Sequence, residues 1–445
     1  MTRGRRAEPA VSDAELELRI LRARKLIFKL SRNLEESITD FGRGITIFRA
    51  DLGALALDEP ESKLYADVRD KLAEAASRRV KLSRASVDLY LQEAILQTLD
   101  VAKARLDVPF EARLTGALDA LRKALTVPPR LHRVMIPLEG CEAPETPHSF
   151  GGVRVVSAAV AEKFVAWRTI QEPMRAALSD GFAASSRLVQ SVSAGDSTFA
   201  RSAALETAIE VVDVLNFFAD LVTAKWKRPR VAIKGSVATD RNPVASLIDT
   251  TVTTSGLAGG WGRMSVPART DAYARYVGYW KASALLKKPR GERNEFAARL
   301  LAAMGAAGRA SVASRPGDSV LGFVISLDAA LGTGSSTGTK IASRAAAILG
   351  GTDTERLAAR KRVSALYKLR SDIVHDARTD VLAEDVADAR WYAKSVIVAL
   401  LRDKRFKRFR SDSEFQAWLE AAVPVTGLVP CPTCGRGSQR LTPPP

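Results

Sequence analysis

At 445 residues, 46% hydrophobic and 26% charged, the chain is too long for one small domain and apolar enough to fill two or three cores. Its 67 Lys and Arg against 50 Asp and Glu leave a net charge of +17, a field that gathers polyanions, RNA and DNA above all, although an arginine-rich usage throughout would give the same excess. It has no apolar run long enough to span a bilayer, no lipid-facing anchor, no apolar core after the basic start MTRGRRAEPAVSDAE, and three cysteines are too few for a disulfide framework, so a cytoplasmic protein is expected.

Residues 1–10 read as a disordered basic tail. From 11 to 126 the pattern is helical, a hairpin or bundle. Leu16, Ile20, Ala23, Ile27, Leu30 and Leu34 form one seam, with Ser12 and Glu15 as a capping box. Val87, Leu91, Ala94, Thr98 and Val101 form a second, and Leu114, Leu118, Leu121 and Leu125 a third, stopped by Pro128 and Pro129. Such seams need only a neighbouring helix, so the unit serves either as plain packing or as a partner-recognition module.

Residues 127–152, rich in Pro, Gly and Glu, read as a linker holding His132, Cys141 and His148. From 153 to 289 a mixed region is expected, with helices and a few short strands, and a sensing role is one reading of it. Val153 to Val156 suggests a strand and Ser157 to about Val192 helices; Leu205, Ile209, Val212, Leu215, Ala219 and Val222 mark a strong amphipathic helix. Lys225 to Arg230, KWKRPR, reads either as cations and an aromatic for a single strand or as a cationic helix end stopped by Pro229. Thr, Val, Ser and Gly then dominate up to Val266, as in short strands and turns. The GTGSSTGTK stretch from Gly332 to Lys340 lacks the Gly-Lys-Ser/Thr ending of a phosphate-binding loop and reads as a connector.

From 290 to 410 the pattern is a bundle of four to five helices: 292–311, 318–331, 340–349, 355–374, then a polar loop and a helix with Val386, Ala389, Ala393, Val396, Ile397 and Leu400 inward. The fold class is therefore mainly α. The order FVISLDAALG, a glycine-rich loop, IASRAAAIL, ALYKLRSDIVH and a final helix ending LLRDKRF resembles the Apea-like branch of the HEPN superfamily, over about a quarter of the chain. Asp376 follows His375 where the family usually has Gly, and Asp328 stands where Glu is common. The resemblance implies metal-independent RNA cleavage, with no cofactor for catalysis, at a composite cleft between two bundles of a homodimer. It matches Arg370 and His375 to the family's functional positions. Many members serve in bacterial anti-phage or toxin systems, and others only bind or scaffold.

The chemistry can be argued from the residue types. Cleaving RNA without a metal needs a base for the 2′-hydroxyl, an acid for the leaving 5′-oxygen and positive charge on the phosphorane. Histidine can serve either proton transfer, and a planar guanidinium suits the phosphate. Ser371, one turn before His375, is a positioning candidate, and Asp328 a candidate for orienting Arg370. Arg370 stands about 140° round an ideal helix from His375. The two converge only if the helix ends near Val374 or if a second copy supplies one of them. Without the neighbouring pattern, His375 is as well read as a helix C-cap.

Downstream, RDKRFKRFR offers Lys404, Arg405, Lys407 and Arg408 as RNA contacts, or as a solvated helix end. Within the tail, 411–445, Cys431 and Cys434 in CPTCG form half of a zinc knuckle. A structural zinc would need further ligands from Cys141, His132, His148 or a second copy.

Overall fold

The computed structural model describes residues 13–33, 46–49, 53–99, 108–157, 159–160, 186–223, 229–233, 244–248, 251–255, 262–332, 338–402, 409 and 411–420. It is mostly helical and divides into two compact units. The first comprises residues up to Val134 together with Ser191–Leu205; the second comprises Met135–Gln190 and the chain from Glu206 on.

In the first unit, α1 (Asp13–Asn33), α2 (Glu59–Val80), α3 (Arg84–Leu99) and α4 (Phe110–Thr126) share one core, with a short hairpin, β1 (Thr46–Arg49) and β2 (Gly53–Ala56), added to it. The seams expected from the sequence are what that core is made of. Leu16, Ile20, Ala23, Ile27 and Leu30 of α1 are buried with Val87, Leu91 and Ala94 of α3 and Leu114, Leu118, Leu121 and Leu125 of α4. Arg122 forks onto both carboxylate oxygens of Glu17, at 2.7 and 2.9 Å, tying α4 to α1. Asp58 and Glu61 form a capping box at the start of α2. The box expected at Ser12, and Leu34 and Val101 of the seams, lie outside the described residues.

The second unit contains most of a five-stranded antiparallel sheet, in the order β5 (His148–Phe150), β6 (Val153–Val156), β7 (Ser186–Ala194), β3 (Arg130–Glu139), β8 (Ala232–Ile233). Cys141–Glu142 (β4) pairs in parallel with Met264–Ser265 (β11), and Val244–Ile248 (β9) with Thr251–Ser255 (β10) as a hairpin. Two expectations change here. Residues 127–152 are not a linker: RLHRVMIPLE is a ten-residue strand that contains Pro137, and the other prolines and glycines that suggested a linker stand at its ends and in the turns. Residues 186–192 are strand, not helix; the run SRLVQSVSA has the β-branched content and partial alternation of a half-buried strand.

Helix α5 (Ser197–Val222) buries Val212, Leu215 and Ala219 of the face read from the sequence, but Leu205 and Ile209 of that face are exposed, and Ala200, Ala204 and Ala208 are buried on its first turns instead. Its Asn216 side chain, 3% exposed, holds the Val231 backbone from both sides, Nδ2 donating to the carbonyl at 2.9 Å and the N–H returning to Oδ1 at 2.8 Å. Two short helices follow, α6 (Ala272–Tyr276) and α7 (Tyr279–Leu286). Then come α8 (Glu295–Ser311), α9 (Pro316–Leu331), α10 (Gly338–Leu349), α11 (Asp353–His375), α12 (Ala383–Arg402) and α13 (Asp412–Glu420). Helices α8 to α12 lie within a few residues of the segments expected from periodicity.

What joins these helices to α5 is backbone proximity and buried charge. A Cβ on Gly308 of α8 would sit 1.8 Å from the Asp213 carbonyl oxygen of α5, so only glycine permits that crossing. Lys394 of α12, 1% exposed, donates to the Phe217 carbonyl at 2.8 Å and to the Asp220 carboxylate, with Arg390 3.6 Å from the same group. Burial pushes the Asp220 carboxyl up, but Lys394 and then Arg390 outweigh it and hold it below the usual carboxylate range. Arg299 and Arg344 donate to carbonyls at the C-terminal end of α9, Arg344 to Leu331 at 2.7 Å, complementing its dipole.

Removing the Lys394 ammonium leaves the buried Asp220 carboxylate to the more distant Arg390, so Lys394→Met is expected to destabilise the protein by about 3 kcal/mol in chemical denaturation. The folded-state pKa of Asp220 lies below its unfolded value, about 3.9, so its contribution is full above that pH and disappears as the pH falls through the folded value. Asp220→Asn should accordingly flatten the acid limb of the stability profile.

A candidate ribonucleolytic face on helix α11

Thr352 and Glu355 form a capping box at the start of α11, Glu355 Oε2 accepting from the Thr352 N–H at 2.7 Å. Val363, Leu366 and Leu369 face the bundle core. Arg362 ties the helix to α12 through Asp388 and, at 2.9 Å, Asp385. The last two turns carry the residues singled out from sequence, and the helix is regular through His375.

Tyr367 organises this end. Its hydroxyl donates to Asp328 Oδ1 at 2.5 Å, from α11 across to α9. Its ring lies so close to the start of α10 that a Cβ on Gly338 would come within 2.9 Å of it. Burial and then the Asp328 charge push the Tyr367 phenol far above its ordinary pKa, with the Arg370 cation opposing them. The tyrosine therefore stays a neutral donor. Asp328, expected to orient Arg370, accepts from Tyr367 instead.

Arg370 is half-buried and has neither an ion pair nor a hydrogen bond among the described residues. Ser371 and His375 are exposed and stand one turn apart on the helix. Helical geometry keeps Arg370 about 140° from His375, with Tyr367, Ser371 and Val374 filling the arc between them. The unwinding that would have brought the two together within one chain does not occur. Val374, 54% exposed, and Leu382, 55% exposed, are apolar groups open to solvent beside this face.

Past His375 the chain leaves the helix through Asp376, whose N–H donates to the Asp372 carbonyl at 3.0 Å; the Arg378 N–H reaches the same oxygen at 3.3 Å. Ala377 adopts φ 50°, the left-handed position that usually falls to glycine at a helix C-terminus. The Arg378 side chain turns back to Asp372 at 3.7 Å and Asp380 at 3.0 Å.

Tyr367 was missed in the sequence because its neighbours drew attention through charge. Its spacing was visible all the same, three before Arg370 and four before Ser371. Lys404, Arg405, Lys407 and Arg408, and Cys431 and Cys434, lie outside the described residues. Cys141 is buried, its thiol pushed up to about 12 by burial and by Glu142, while burial and then Arg269 bring His148 down to about 4. No three His, Cys, Asp or Glu gather to hold a metal among the described residues. No helix among them is long and apolar enough to cross a membrane. No protein-family model, curated protein or solved structure matches the chain.

An L side chain in the left-handed region costs roughly 1–2 kcal/mol, so Ala377→Gly is expected to stabilise the protein by about 1 kcal/mol. The check is a higher denaturation midpoint at unchanged slope.

Proposed function

We propose that the protein is a metal-independent endoribonuclease of HEPN type, working as a homodimer in a bacterial defence or growth-arrest system. The observation that carries this reading is that Arg370 and His375 on α11 make no ion pair among the described residues. Arg370 is a half-buried guanidinium without an ion pair or hydrogen bond among the described residues, on the same helix end as the Tyr367–Asp328 hydrogen bond. A half-buried guanidinium without an ion pair suits an anion from outside, and phosphate fits its fork. His375 and Ser371 are open to solvent one turn apart, as a proton-transfer group and its polar neighbour require.

In this reading Arg370 clamps the scissile phosphate and stabilises its developing charge, while His375 exchanges protons with the 2′-hydroxyl or the leaving 5′-oxygen. Because the helix is unbroken, the Arg370 of one copy works with the His375 of the other. Val374 and Leu382 supply apolar surface for that pairing.

A second reading is favoured by Asp372 and Asp376, two carboxylates within three residues of His375. They suit a face that holds a partner rather than one that grips a polyanion. The bundle would then act as a dimerisation platform in an RNA-binding or adaptor protein.

Purified protein should cleave mixed RNA in excess chelator, and His375→Ala and Arg370→Ala should each lower the rate at least a hundredfold, in line with loss of a general acid–base or an oxyanion donor. RNA binding that survives His375→Ala, with no cleavage at any enzyme concentration, would establish the adaptor reading instead.

A further inference from the structure

A second cationic feature lies well away from α11 in sequence and takes no part in the chemistry above. It begins with a tight hairpin. Phe150 of β5 pairs with Val153 of β6 across the two-residue turn Gly151-Gly152, with φ of 59° and 83°. Positive φ at both positions is the type I′ turn that suits the twist of a hairpin. Gly151 also packs hard against α7: a Cβ there would stand 2.7 Å from the Leu286 side chain, and its N–H donates to Ser283 Oγ at 3.1 Å. The hairpin is thereby pinned to α7, and the two form the walls of an open cleft of about 610 Å³.

Arg154, Arg269, Arg275 and Lys287 line that cleft with Trp280, and no carboxylate does. None of the four cations makes an ion pair among the described residues, and only Arg275 is engaged by a hydrogen bond, to the Thr270 carbonyl at 3.0 Å. The arginines just outside behave otherwise: Arg290 and Arg293 both meet Glu210. Four like charges around one concavity repel each other unless an anion joins them. Arg269 stands over the Trp280 ring, 5.9 Å from its centre, and the buried indole N–H has no acceptor among the described residues. His148 lies behind the indole, ring centres 5.1 Å apart; its low pKa keeps it neutral, so it packs without adding charge.

The geometry points to a nucleotide-binding site in this cleft, with the phosphates held by Arg154, Arg275 and Lys287 and the base against Trp280 and Arg269. The volume is that of a small-ligand pocket. Paired guanidinium donors suit phosphate oxygens, and an aromatic ring beside an arginine plane suits a base. The ligand is either a free nucleotide or one nucleotide of an RNA strand, since both present the same chemistry.

The test is equilibrium binding by the full chain of four probes: inorganic pyrophosphate, an equimolar mixture of the four nucleoside triphosphates, each triphosphate alone, and a short single-stranded RNA. Wild type should bind at least one nucleotide-containing probe more tightly than pyrophosphate. The double variant Arg154→Ala/Lys287→Ala should weaken that binding tenfold or more, and Trp280→Phe threefold or more, at unchanged melting temperature. Removing the same charge elsewhere, by Lys25→Ala/Lys29→Ala on the exposed face of α1, should leave affinity within twofold. Tight triphosphate without RNA identifies a free nucleotide, and RNA without triphosphate a strand; either supports the site. Three results overturn it: no binding of any nucleotide probe, pyrophosphate held as tightly as nucleotide, or equal losses from the α1 lysines and the cleft cations.

Discussion

An unbroken α-helix from Asp353 to His375 is the constraint on which the proposed site depends. It fixes Arg370 and His375 about 140° apart whatever the side chains prefer, since 3.6 residues make a turn. The helix in turn is fixed at both ends and in the middle. The Thr352 cap starts it, Arg362 ties it to α12, Tyr367 ties it to α9, and the Asp372 carbonyl closes it by accepting two N–H groups. No slack remains by which one chain could bring its own two residues together at that helix end. If Arg370 and His375 act on one phosphate, as proposed, this rigidity requires that they come from two copies of the chain.

The unit around that helix is held by charge placed where charge is costly. Lys394 with Asp220, and Arg344 with the end of α9, are buried or nearly so. Each is satisfied by a carboxylate or by backbone carbonyls, as a buried cation must be. Against that background, Arg370 on α11 and the four cations around Trp280 make no ion pair among the described residues. A strongly basic chain by itself says little about where an anion binds. The contrast between arginines that have partners and arginines that do not is more informative than the net charge.

Much of the fold was legible in the sequence because helical seams are periodic. Leu16 to Leu30 and Leu114 to Leu125 read as buried faces and are buried, and α8 to α12 fall close to where repeat spacing placed them. The sheet was harder to see. β3 and β7 are half-buried strands with imperfect alternation, interrupted by Pro137 and flanked by turns, and their pairing is non-local. At the candidate site the charged residues could be named from sequence, but not their company. That Asp328 serves Tyr367 depends on how α9 and α11 cross, and that four cations surround Trp280 depends on a hairpin docking onto α7, neither of which a linear pattern encodes.

The dimeric site can be tested by mixing two inactive proteins, Arg370→Ala and His375→Ala, after dissociation and re-association. In a heterodimer one of the two composite sites keeps an intact Arg370 from one copy and His375 from the other. With half of the dimers mixed, and one of two sites working in each, cleavage should return to about a quarter of the wild-type rate in a twofold-symmetric assembly. A mixture as inactive as either variant alone, with heterodimers verified by mass, would contradict the account.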